Sequence, residues 1–253
     1  MATKTDALSL DHKVDCKACP LRALELFRPF DAKELEFVST FKRGELQVDR
    51  AATVLVEGSN SAHLYTVLSG WAFRYKMLDD GRRQILNYAL PGDLLGLQGV
   101  LMGELEHSVE ALTSMRLCVF ERRHLMELYS NHPGLGFDVT WLASREEQML
   151  DENLLSIGRR TATERAAYLL ASLHTRWSGL RVIGSMPATL PIRQQHVADT
   201  LGLSLVHTNK TLRKLAGAGL ISWVEAGCRV LKPEALMELA GWEGPAKTKR
   251  PFI

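Results

Sequence analysis

The stretch from Ile192 to Pro233 constrains the fold more than any other part of the sequence. Its first half has an apolar face at helical spacing, formed by Val197, Ala198 and Leu201. Gly202 follows, and glycine readily adopts the left-handed conformation that ends a helix in a tight turn. Ser204 is then placed to cap a second helix, because its hydroxyl can accept from a backbone N–H of the first turn. The pattern predicts two helices joined by a short turn.

The second of these helices separates apolar from polar side chains. The positions predicted to face inward are Leu205, Thr208, Leu212 and Leu215. The positions predicted to face outward or to the flanks are His207, Asn209, Lys210, Arg213 and Lys214. A helix that enters the DNA major groove needs this division, since apolar residues anchor it while polar ones reach bases and phosphates.

Two β-rich runs, residues 220–223 and 228–231, follow the second helix and are typical of a two-stranded wing. The order of helix, turn, basic helix and wing predicts a winged helix-turn-helix that binds DNA. The alternative is a winged helix that is used only for protein contacts.

The charge distribution is compatible with a polyanionic partner. Residues 191–253 contain nine Lys or Arg and five Asp or Glu, whereas the preceding 190 residues contain 22 and 24. A basic module on a slightly acidic body suits nucleic acid. The excess is small, so taken alone it is equally compatible with no such partner.

Residues 46–120 have the pattern of a β-rich domain. Four runs of high β-propensity, at 53–58, 63–70, 71–78 and 83–90, are separated by turn signals. Asp80-Gly81, between the last two runs, is a strong hairpin signal. Short strands at this regular spacing predict a barrel or sandwich.

From Glu121 to about Trp177 the hydrophobic period becomes helical. One stripe approximates a heptad pattern that two copies of a helix could share, and it consists of Leu135, Val139, Leu142 and Met149. This stripe is the predicted dimer interface, and the alternative is that it packs on its own β-domain. A break is expected near Ser156–Gly158, before a capping box at Thr161–Glu164 that starts a helix ending at Ser178-Gly179.

Composition and the termini bear on location. The chain has 253 residues, 46% of them hydrophobic and 24% charged, as in soluble globular proteins. It lacks a run of about 18 apolar residues and a signal-peptide core, so the expected location is the cytoplasm, with no membrane partner. The four cysteines do not form a secreted disulfide framework, and the close pair Cys16 and Cys19 suggests metal, cluster or redox chemistry. The tail, residues 244–253, is expected to be frayed.

From about Cys16 to Leu231 the chain resembles the Crp–Fnr family of transcription regulators. The resemblance lies in the phrases HLYTVLSGWAFRY, DGRRQILNYALPGDLLG, EALTSMRLCVFERRHL, QQHVADTLGLS and TLRKL. It implies an α+β fold with an N-terminal cupin-like β-roll, a long dimerisation helix and a C-terminal winged helix-turn-helix. The corresponding segments are a cysteine-bearing segment (1–30), the β-roll (31–132), the dimerisation helix (133–158) and the DNA-binding domain (159–253). It also implies a homodimer, promoter DNA and RNA polymerase as partners.

The family's cyclic-nucleotide residues are replaced in this chain. Leu97 stands where family sensors place the glutamate that holds the ribose, and His107-Ser108 stand where they place Arg-Ser for the cyclic phosphate. Loss of the arginine removes the bidentate phosphate partner, so cyclic AMP is not expected to bind in the usual way. His107 is expected to be a partly exposed loop residue without a role, or else to bind another ligand, so the effector is unknown.

The cysteines resemble those of the oxygen-sensing branch, which holds a [4Fe–4S] cluster with three N-terminal cysteines and a fourth in the β-roll. Cys16, Cys19 and Cys118 stand at three of these positions and Glu25 at the fourth. Carboxylate is a poorer cluster ligand than thiolate. Three interpretations stay open: a labile iron–sulfur cluster, a thiol–disulfide switch, and cysteines without a retained role. Cys228, in the wing, is expected to be structural.

The recognition helix also departs from the family pattern. Leu205-Val206 replace Arg-Glu or Val-Glu, and Lys210 stands at the arginine that follows. The glutamate that accepts from cytosine N4 is missing, so the family's usual half-sites are not expected. The candidates for base reading are His207, Asn209 and Lys210. The candidates for backbone contacts are Gln194, Gln195, Ser204, Arg213 and Lys214.

The predicted function is a sequence-specific transcription regulator that binds a near-palindromic promoter site as a homodimer. It responds to oxygen or redox state if the cysteines act as a sensor. The alternatives are a dimeric interaction protein that does not read DNA, and a regulator of this type with an unknown small ligand in the β-roll. Enzymatic activity is not expected, because cupin enzymes need clustered metal ligands, whereas His63, His107 and His124 are scattered.

Overall fold

The computed structural model describes residues 14–180, 189–245 and 248–253. Within these ranges the α-helices are α1 (Ala32–Phe41), α2 (Leu97–Met102), α3 (Leu125–Asn131), α4 (Pro133–Arg159), α5 (Ala162–Ser178), α6 (Gln194–Leu201), α7 (Leu205–Gly217) and α8 (Pro233–Ala240). The strands are β1 (Lys42–Val48), β2 (Thr53–Leu55), β3 (His63–Ser69), β4 (Ala72–Met77), β5 (Arg83–Ala89), β6 (Leu94–Leu95), β7 (Ser108–Ala111), β8 (Met115–Glu121), β9 (Thr189–Leu190), β10 (Ile221–Val224) and β11 (Gly227–Val230). Short 3-10 helices span Cys16–Ala18, Pro20–Ala23 and Arg122–His124. No helix in these ranges has the length and apolar character that crossing a membrane requires.

The N-terminal domain is a β-roll built from two antiparallel four-stranded sheets. Their strand orders are β1-β8-β3-β6 and β2-β7-β4-β5. Large apolar side chains, among them Trp71, Phe73 and Phe120, are fully buried, which explains the β-rich runs of the sequence. The predicted hairpin is confirmed, because β4 pairs with β5 and Gly81 has a φ of 84° that suits glycine. The β-roll therefore follows from strand patterning and turn chemistry.

The apolar stripe of α4 faces its own subunit, which corrects the predicted dimer interface. Leu135, Val139 and Leu142 are buried in the core of the single chain, so they are not available to a partner in this conformation. Met149 is half-buried, and its sulfur lies 3.5 Å from the Asn87 side-chain nitrogen. The alternative interpretation, packing on the β-domain, fits these positions.

The helix break expected near residues 156–158 lies one residue later, since α4 ends at Arg159 and α5 begins at Ala162. Asn153 donates to the Leu86 carbonyl oxygen at 2.7 Å, and Ser156 is buried. These tertiary contacts hold the last turns of the helix in place and outweigh the weak helix propensity of the Ser-Ile-Gly sequence.

Local signals correctly predicted the start of α5 and the helix-turn-helix. Thr161 and Glu164 form the expected capping box. Gly202 ends α6 in the left-handed conformation with a φ of 64°, and the Ser204 hydroxyl accepts from the His207 N–H at 3.2 Å to cap α7. β10 and β11 pair as the wing, with Cys228 fully buried as expected. Most of the stretch between α5 and Pro191 lies outside the described residues.

The C-terminal domain packs against the β-roll through α6 and β5. The Tyr88 hydroxyl lies 2.9 Å from Thr200 Oγ1, and the Gln84 side-chain amide donates to the Thr200 carbonyl oxygen at 2.9 Å. An ion pair of 2.8 Å joins Arg83 to Asp199. These contacts fix the orientation of the helix-turn-helix relative to the β-roll in this structure.

The end of the C-terminal tail is docked, which corrects the expectation of a frayed terminus. Arg250 donates its N–H to the Leu26 carbonyl oxygen and accepts from the Arg28 N–H, both at 2.9 Å. The Phe252 ring lies 4.9 Å from the Phe27 ring and 5.0 Å from the Phe30 ring, measured between centroids. Phe252 and Ile253 are buried, because this distant N-terminal segment supplies apolar partners that a local reading of the tail does not show.

Candidate nucleic-acid interface and sensor cavities

One face of α7 presents cations to solvent. Lys210, Arg213 and Lys214 are exposed, and none of them forms an ion pair with a described residue. The opposite face is anchored by the buried residues Thr208, Thr211, Leu212 and Leu215. The predicted division into an anchored and an outward face is therefore present, and the outward cations are available to phosphates or bases.

The first turn of α7 differs from the prediction. Leu205, predicted to face inward, is 41% exposed and lines a cleft between α7 and the β4–β5 hairpin, while Thr211 takes an inward place. Val206 is 82% exposed and extends the outward face. Sequence reasoning did not select Val206 for DNA contact, although an apolar residue beside the N-cap of a basic helix is a usable signal.

The remaining predicted contact residues lie at the edges of this face. His207 is exposed, whereas Asn209 is only partly exposed and its side-chain oxygen is buried without a partner among the described residues. In α6, Gln195 is exposed and donates to the Asp199 carboxylate at 2.6 Å, and Gln194 is half-buried. The Ser204 hydroxyl already caps α7 but keeps its own proton for donation.

A cavity of about 420 Å³ lies between the β-roll and α4. Leu97 and His107 line it, together with Arg74, Arg145 and Glu146. His107 is 5% exposed, which corrects the expectation of a partly exposed loop residue, and its Nε2 has no partner in the described part of the chain. Burial, together with Arg74 and Lys76, lowers the pKa of His107 to about 4, so the ring is neutral near pH 7.

Three of the four predicted cysteine-site residues meet in a second, small cavity. Cys16, Cys19 and Cys118 line this space of about 20 Å³, and Phe252 and Ile253 of the tail close it. The same cavity is lined by Lys42, whose ammonium donates to the Val14 carbonyl oxygen at 2.9 Å and pairs with Glu45 at 2.6 Å. Glu25 is exposed and does not line the cavity, so the predicted fourth member is not part of it.

Two of the thiols in this cavity, those of Cys19 and Cys118, are protonated at neutral pH. Burial raises the pKa of Cys118 to about 12 and also raises the pKa of Cys19 above its ordinary value. All four cysteines are free thiols in this structure. Because the thiolate is the reactive form of cysteine, burial makes the Cys19 and Cys118 thiols poor nucleophiles while the tail is docked.

Comparison with known proteins identifies both domains. The cyclic nucleotide-binding domain matches residues 45–132, and the Crp-like helix-turn-helix domain matches residues 164–239. The nitrogen fixation regulation protein FixK of Bradyrhizobium diazoefficiens is 32% identical over 226 residues, which cover 89% of this chain and 93% of that protein. This chain belongs to the Crp–Fnr family. It is a DNA-binding transcription regulator.

Other members of the Crp–Fnr family are similar over most of their length. The transcriptional activator FnrL of Cereibacter sphaeroides is 29% identical to this regulator over 82% of the chain and 84% of that protein. The structure of FixK2 from Bradyrhizobium japonicum superposes with a TM-score of 0.67 at 27% identity, covering 77% of this chain and 96% of that one. The predicted fold class and family are thereby confirmed.

The β-roll cavity of this Crp–Fnr regulator does not fit a cyclic nucleotide held in the family's usual way. Leu97 offers no carboxylate for a ribose, and a neutral His107 replaces the guanidinium that would hold the phosphate. Arg74 lines the cavity, but it pairs with Glu146 at 3.1 Å and donates to the Leu94 carbonyl oxygen at 2.9 Å. A ligand of this cavity would have to suit a mostly apolar wall with a neutral imidazole.

The cysteine cavity does not fit a [4Fe–4S] cluster. It offers three thiols, lacks Glu25 and has room for about one water molecule. Lys42 and Arg22 also line it, and their protonated side chains cannot act as metal ligands. Among the described residues no group of three or more His, Cys, Asp or Glu is arranged to hold a metal ion.

Proposed function

We propose that this regulator binds a near-palindromic promoter site as a homodimer and reads it with the outward face of α7. The observation that carries the proposal is the set of exposed cations on α7, which are unpaired within the described chain, beside an exposed apolar first turn. Such a face offers charge to the DNA backbone and a small apolar group to the major groove.

Individual roles follow from position on the helix. Lys210 lies one turn beyond Val206 on the outward face, so it is placed to donate to guanine O6 and N7. Val206 suits contact with a thymine methyl group, and His207 can donate to a base acceptor. Asn209 is closer to the protein body and reaches a base only if its side chain rotates outward. Arg213, Lys214, Gln194, Gln195 and Ser204 are assigned to phosphates.

The dimer contact is assigned to a different stripe of α4. Exposed apolar side chains recur at heptad-like spacing from the middle to the end of α4, and they are Ala143, Leu150, Leu154 and Ile157. Leu154 is 72% exposed in the single chain, and a second copy of the helix packed along this stripe would bury it together with its apolar neighbours. A two-fold dimer through this stripe would place two recognition helices on DNA half-sites about one turn apart.

Further assignments rest on family membership. We assign RNA polymerase as a partner and the cytoplasm as the location, since the related FnrL is named a transcriptional activator. A response to oxygen or redox state stays a prediction that depends on the thiols of the cysteine cavity.

The test is selection of binding sites from a randomised DNA library, together with light scattering of the protein at micromolar concentration. We expect a recovered motif with two-fold symmetry, half-sites about one turn apart and a mass of two chains. A wild-type protein that stays monomeric, or that recovers no motif at physiological salt, would contradict the proposal.

A further inference from the structure

A third cavity lies where α4 faces the C-terminal domain. Its volume is about 360 Å³, within the range of about 300 to 1,000 Å³ that small-molecule sites occupy. Its walls come from β5, α4, α5 and the segment after α8. It therefore contacts both the β-roll side and the DNA-binding side of the molecule.

Three arginine side chains line this interdomain cavity: Arg145 from α4, Arg160 from the α4–α5 junction and Arg176 from α5. Arg176 donates to the Tyr88 carbonyl oxygen at 2.9 Å and to Asp93 at 2.7 Å, and Arg160 donates to the Ala240 carbonyl oxygen at 2.9 Å. These bonds hold both guanidinium groups in fixed positions. Even so, Arg176 Nε and Arg160 Nη1 are buried and have no acceptor in the described ranges. A buried donor without an acceptor is unfavourable, and a bound anion would supply the missing acceptor.

Arg145 has still fewer partners. No ion pair or hydrogen bond joins it to another described residue, and its guanidinium carbon lies 5.7 Å from the centre of the Trp141 ring. Burial, with Arg176 and Arg250 nearby, lowers the pKa of Arg145 from its ordinary value. Asp93 and Glu146 act on this pKa in the opposite direction, but neither forms an ion pair with Arg145. A guanidinium remains charged even so, and a half-buried one without a directly paired carboxylate favours the approach of an anion.

The acidic groups around the cavity do not cancel this charge. Glu152 lines the cavity and its Oε2 lies 3.5 Å from Arg160, a long distance for an ion pair, and this oxygen is buried without a hydrogen-bond partner among the described residues, so it compensates Arg160 only in part. Glu243 lies at the cavity wall and is exposed. Asp93 does not line the cavity and is shared between Arg176 and Arg250.

We propose that this interdomain cavity binds a small organic phosphate of nucleotide size. Guanidinium groups present paired N–H donors that match phosphate oxygens, and three of them meet here. The rest of the wall suits an organic group, because it includes Met149, Leu169, Leu173 and Trp242. The space is larger than an inorganic phosphate needs, and this favours a phosphate that carries an organic moiety.

Position in the fold suggests what the ligand does. A phosphate held by Arg145 and Arg176 would link α4, which carries the assigned dimer stripe, to α5 of the DNA-binding domain. It would thereby favour one orientation of the recognition helices. This regulatory consequence rests on the proposed function, whereas binding itself does not.

Calorimetry on the full chain tests the binding, with ADP and inorganic pyrophosphate as probes. We expect ADP to bind more tightly than pyrophosphate, and Arg145→Ala and Arg160→Ala each to weaken ADP binding at least tenfold; Arg145 also lines the β-roll cavity, whereas Arg160 does not, so the second variant assigns the binding to the interdomain cavity. Arg145→Lys should retain part of the affinity, because it keeps the charge and loses the fork geometry. Arg159→Ala is the matched control: it removes an exposed arginine from the same helix outside the cavity and should bind as the wild type does. Circular dichroism confirms that each variant is folded.

A DNA titration with and without ADP then tests the regulatory consequence. ADP should change the DNA affinity of the wild type and of Arg159→Ala by severalfold and leave that of Arg145→Ala unchanged. If neither probe binds at millimolar concentration, if pyrophosphate binds as tightly as ADP, or if Arg145→Ala binds ADP as the wild type does, the site proposal is overturned. If ADP binds as expected and no DNA is recognised, the site stands and the proposed function fails.

Discussion

Asp93 of the β-roll pairs with Arg176 of α5 at 2.7 Å, and this bond joins the two domains through side chains that are both largely buried. The other carboxylate oxygen of Asp93 pairs with Arg250 of the C-terminal tail, also at 2.7 Å. The same carboxylate accepts from the Leu90 N–H at 2.7 Å. Asp93 therefore connects the β-roll, the DNA-binding domain and the tail. Removing its carboxylate charge should destabilise the packing of all three.

We predict that Asp93→Asn lowers the free energy of unfolding by about 3 kcal/mol or more. The substitution leaves two buried guanidinium groups without their counter-charge, and breaking a buried pair by removing one partner costs about 3–5 kcal/mol. Chemical denaturation of the full chain measures the effect. Asp80→Asn is the control, since Asp80 is exposed and its one ion pair among the described residues is with Arg82, and surface pairs contribute about 1 kcal/mol or less. Equal losses in both variants would contradict the role given to Asp93.

We predict that the docked tail protects the cysteine cavity. Replacing Phe252 and Ile253 with alanine removes the side chains that close it, so alkylation of Cys16, Cys19 and Cys118 by iodoacetamide should become at least tenfold faster. Mass spectrometry of each peptide gives the rates, and Cys228, buried in the wing, serves as the internal control. Lys249→Ala, at an exposed tail position, should leave all rates unchanged. Unchanged rates in the double variant would show that the tail does not limit access.

We predict that Leu154→Glu gives folded monomers. The change places a charge in the assigned dimer stripe without touching the core of the subunit, because Leu154 is exposed in the single chain. Leu155→Glu, the same substitution one residue further on a different face of α4, should remain dimeric. Light scattering distinguishes the outcomes. Leu142→Glu should unfold the subunit instead, since Leu142 is buried in its core. A dimeric Leu154→Glu variant would refute the assigned stripe.

The elements that were predicted correctly are those with a local physical signature. The capping box of Thr161 and Glu164, the left-handed turn at Gly202 and the cap at Ser204 each involve residues within four positions of one another. Strand spacing and the Asp80-Gly81 turn similarly indicated the β-roll.

The elements that were missed depend on contacts between distant parts of the chain. The apolar stripe that includes Leu142 had two possible partners, and only the fold shows that its own subunit buries it. The tail is docked because Phe252 contacts Phe27, which lies far from it in the sequence. His107 lines a cavity whose other wall includes residues of α4, and its own sequence neighbourhood does not show this. Likewise Glu25 matched the cysteines in spacing along the chain but not in space. Sequence periodicity shows which face of a helix or strand is apolar, but it does not show which other part of the protein packs against that face.

We predict that stability falls as the pH is lowered from about 6.5 towards 4, in part because of His107. Its pKa is about 4 in the folded chain, with burial as the main cause and Arg74 and Lys76 as further causes, against about 6.5 in an unfolded chain. Between these values the unfolded state binds a proton that the folded state does not, so unfolding is favoured by at most about 1.4 kcal/mol per pH unit. Above pH 6.5 the His107 ring is neutral in both the folded and the unfolded state, so it causes no loss of stability there.

Denaturation of the wild type and of His107→Gln between pH 7 and 4.5 measures this effect. The variant should lose less stability on acidification, since it has no proton to gain at that position. His196 has a pKa lowered to about 4 mainly by burial and should contribute the same trend in both proteins. Replacement of the exposed His207 by Gln is the control and should leave the slope of the wild type unchanged. Parallel curves for the wild type and His107→Gln would argue against a neutral buried His107.

The last prediction is that different residues of the recognition helix α7 contact the bases and the phosphates of DNA. Lys210→Ala should relax the preference at one base pair of each half-site, because a good base contact discriminates by about 1–3 kcal/mol. Lys214→Ala should weaken binding to all sequences alike and reduce the salt slope by about one unit, as expected for one lost phosphate contact. Val206→Ala should weaken a preference for thymine and leave the salt slope unchanged, since no charge is removed.

Site selection with each variant, and affinity measured over a series of salt concentrations, separate these three outcomes. The two lysines make a matched pair: both are exposed, both lie on α7, and each variant loses one positive charge. If Lys210→Ala keeps the wild-type motif and behaves like Lys214→Ala, then Lys210 contacts phosphate rather than a base. Base reading would in that case rest on Val206 and His207 at the N-terminus of the helix, where side chains come closest to the floor of the groove.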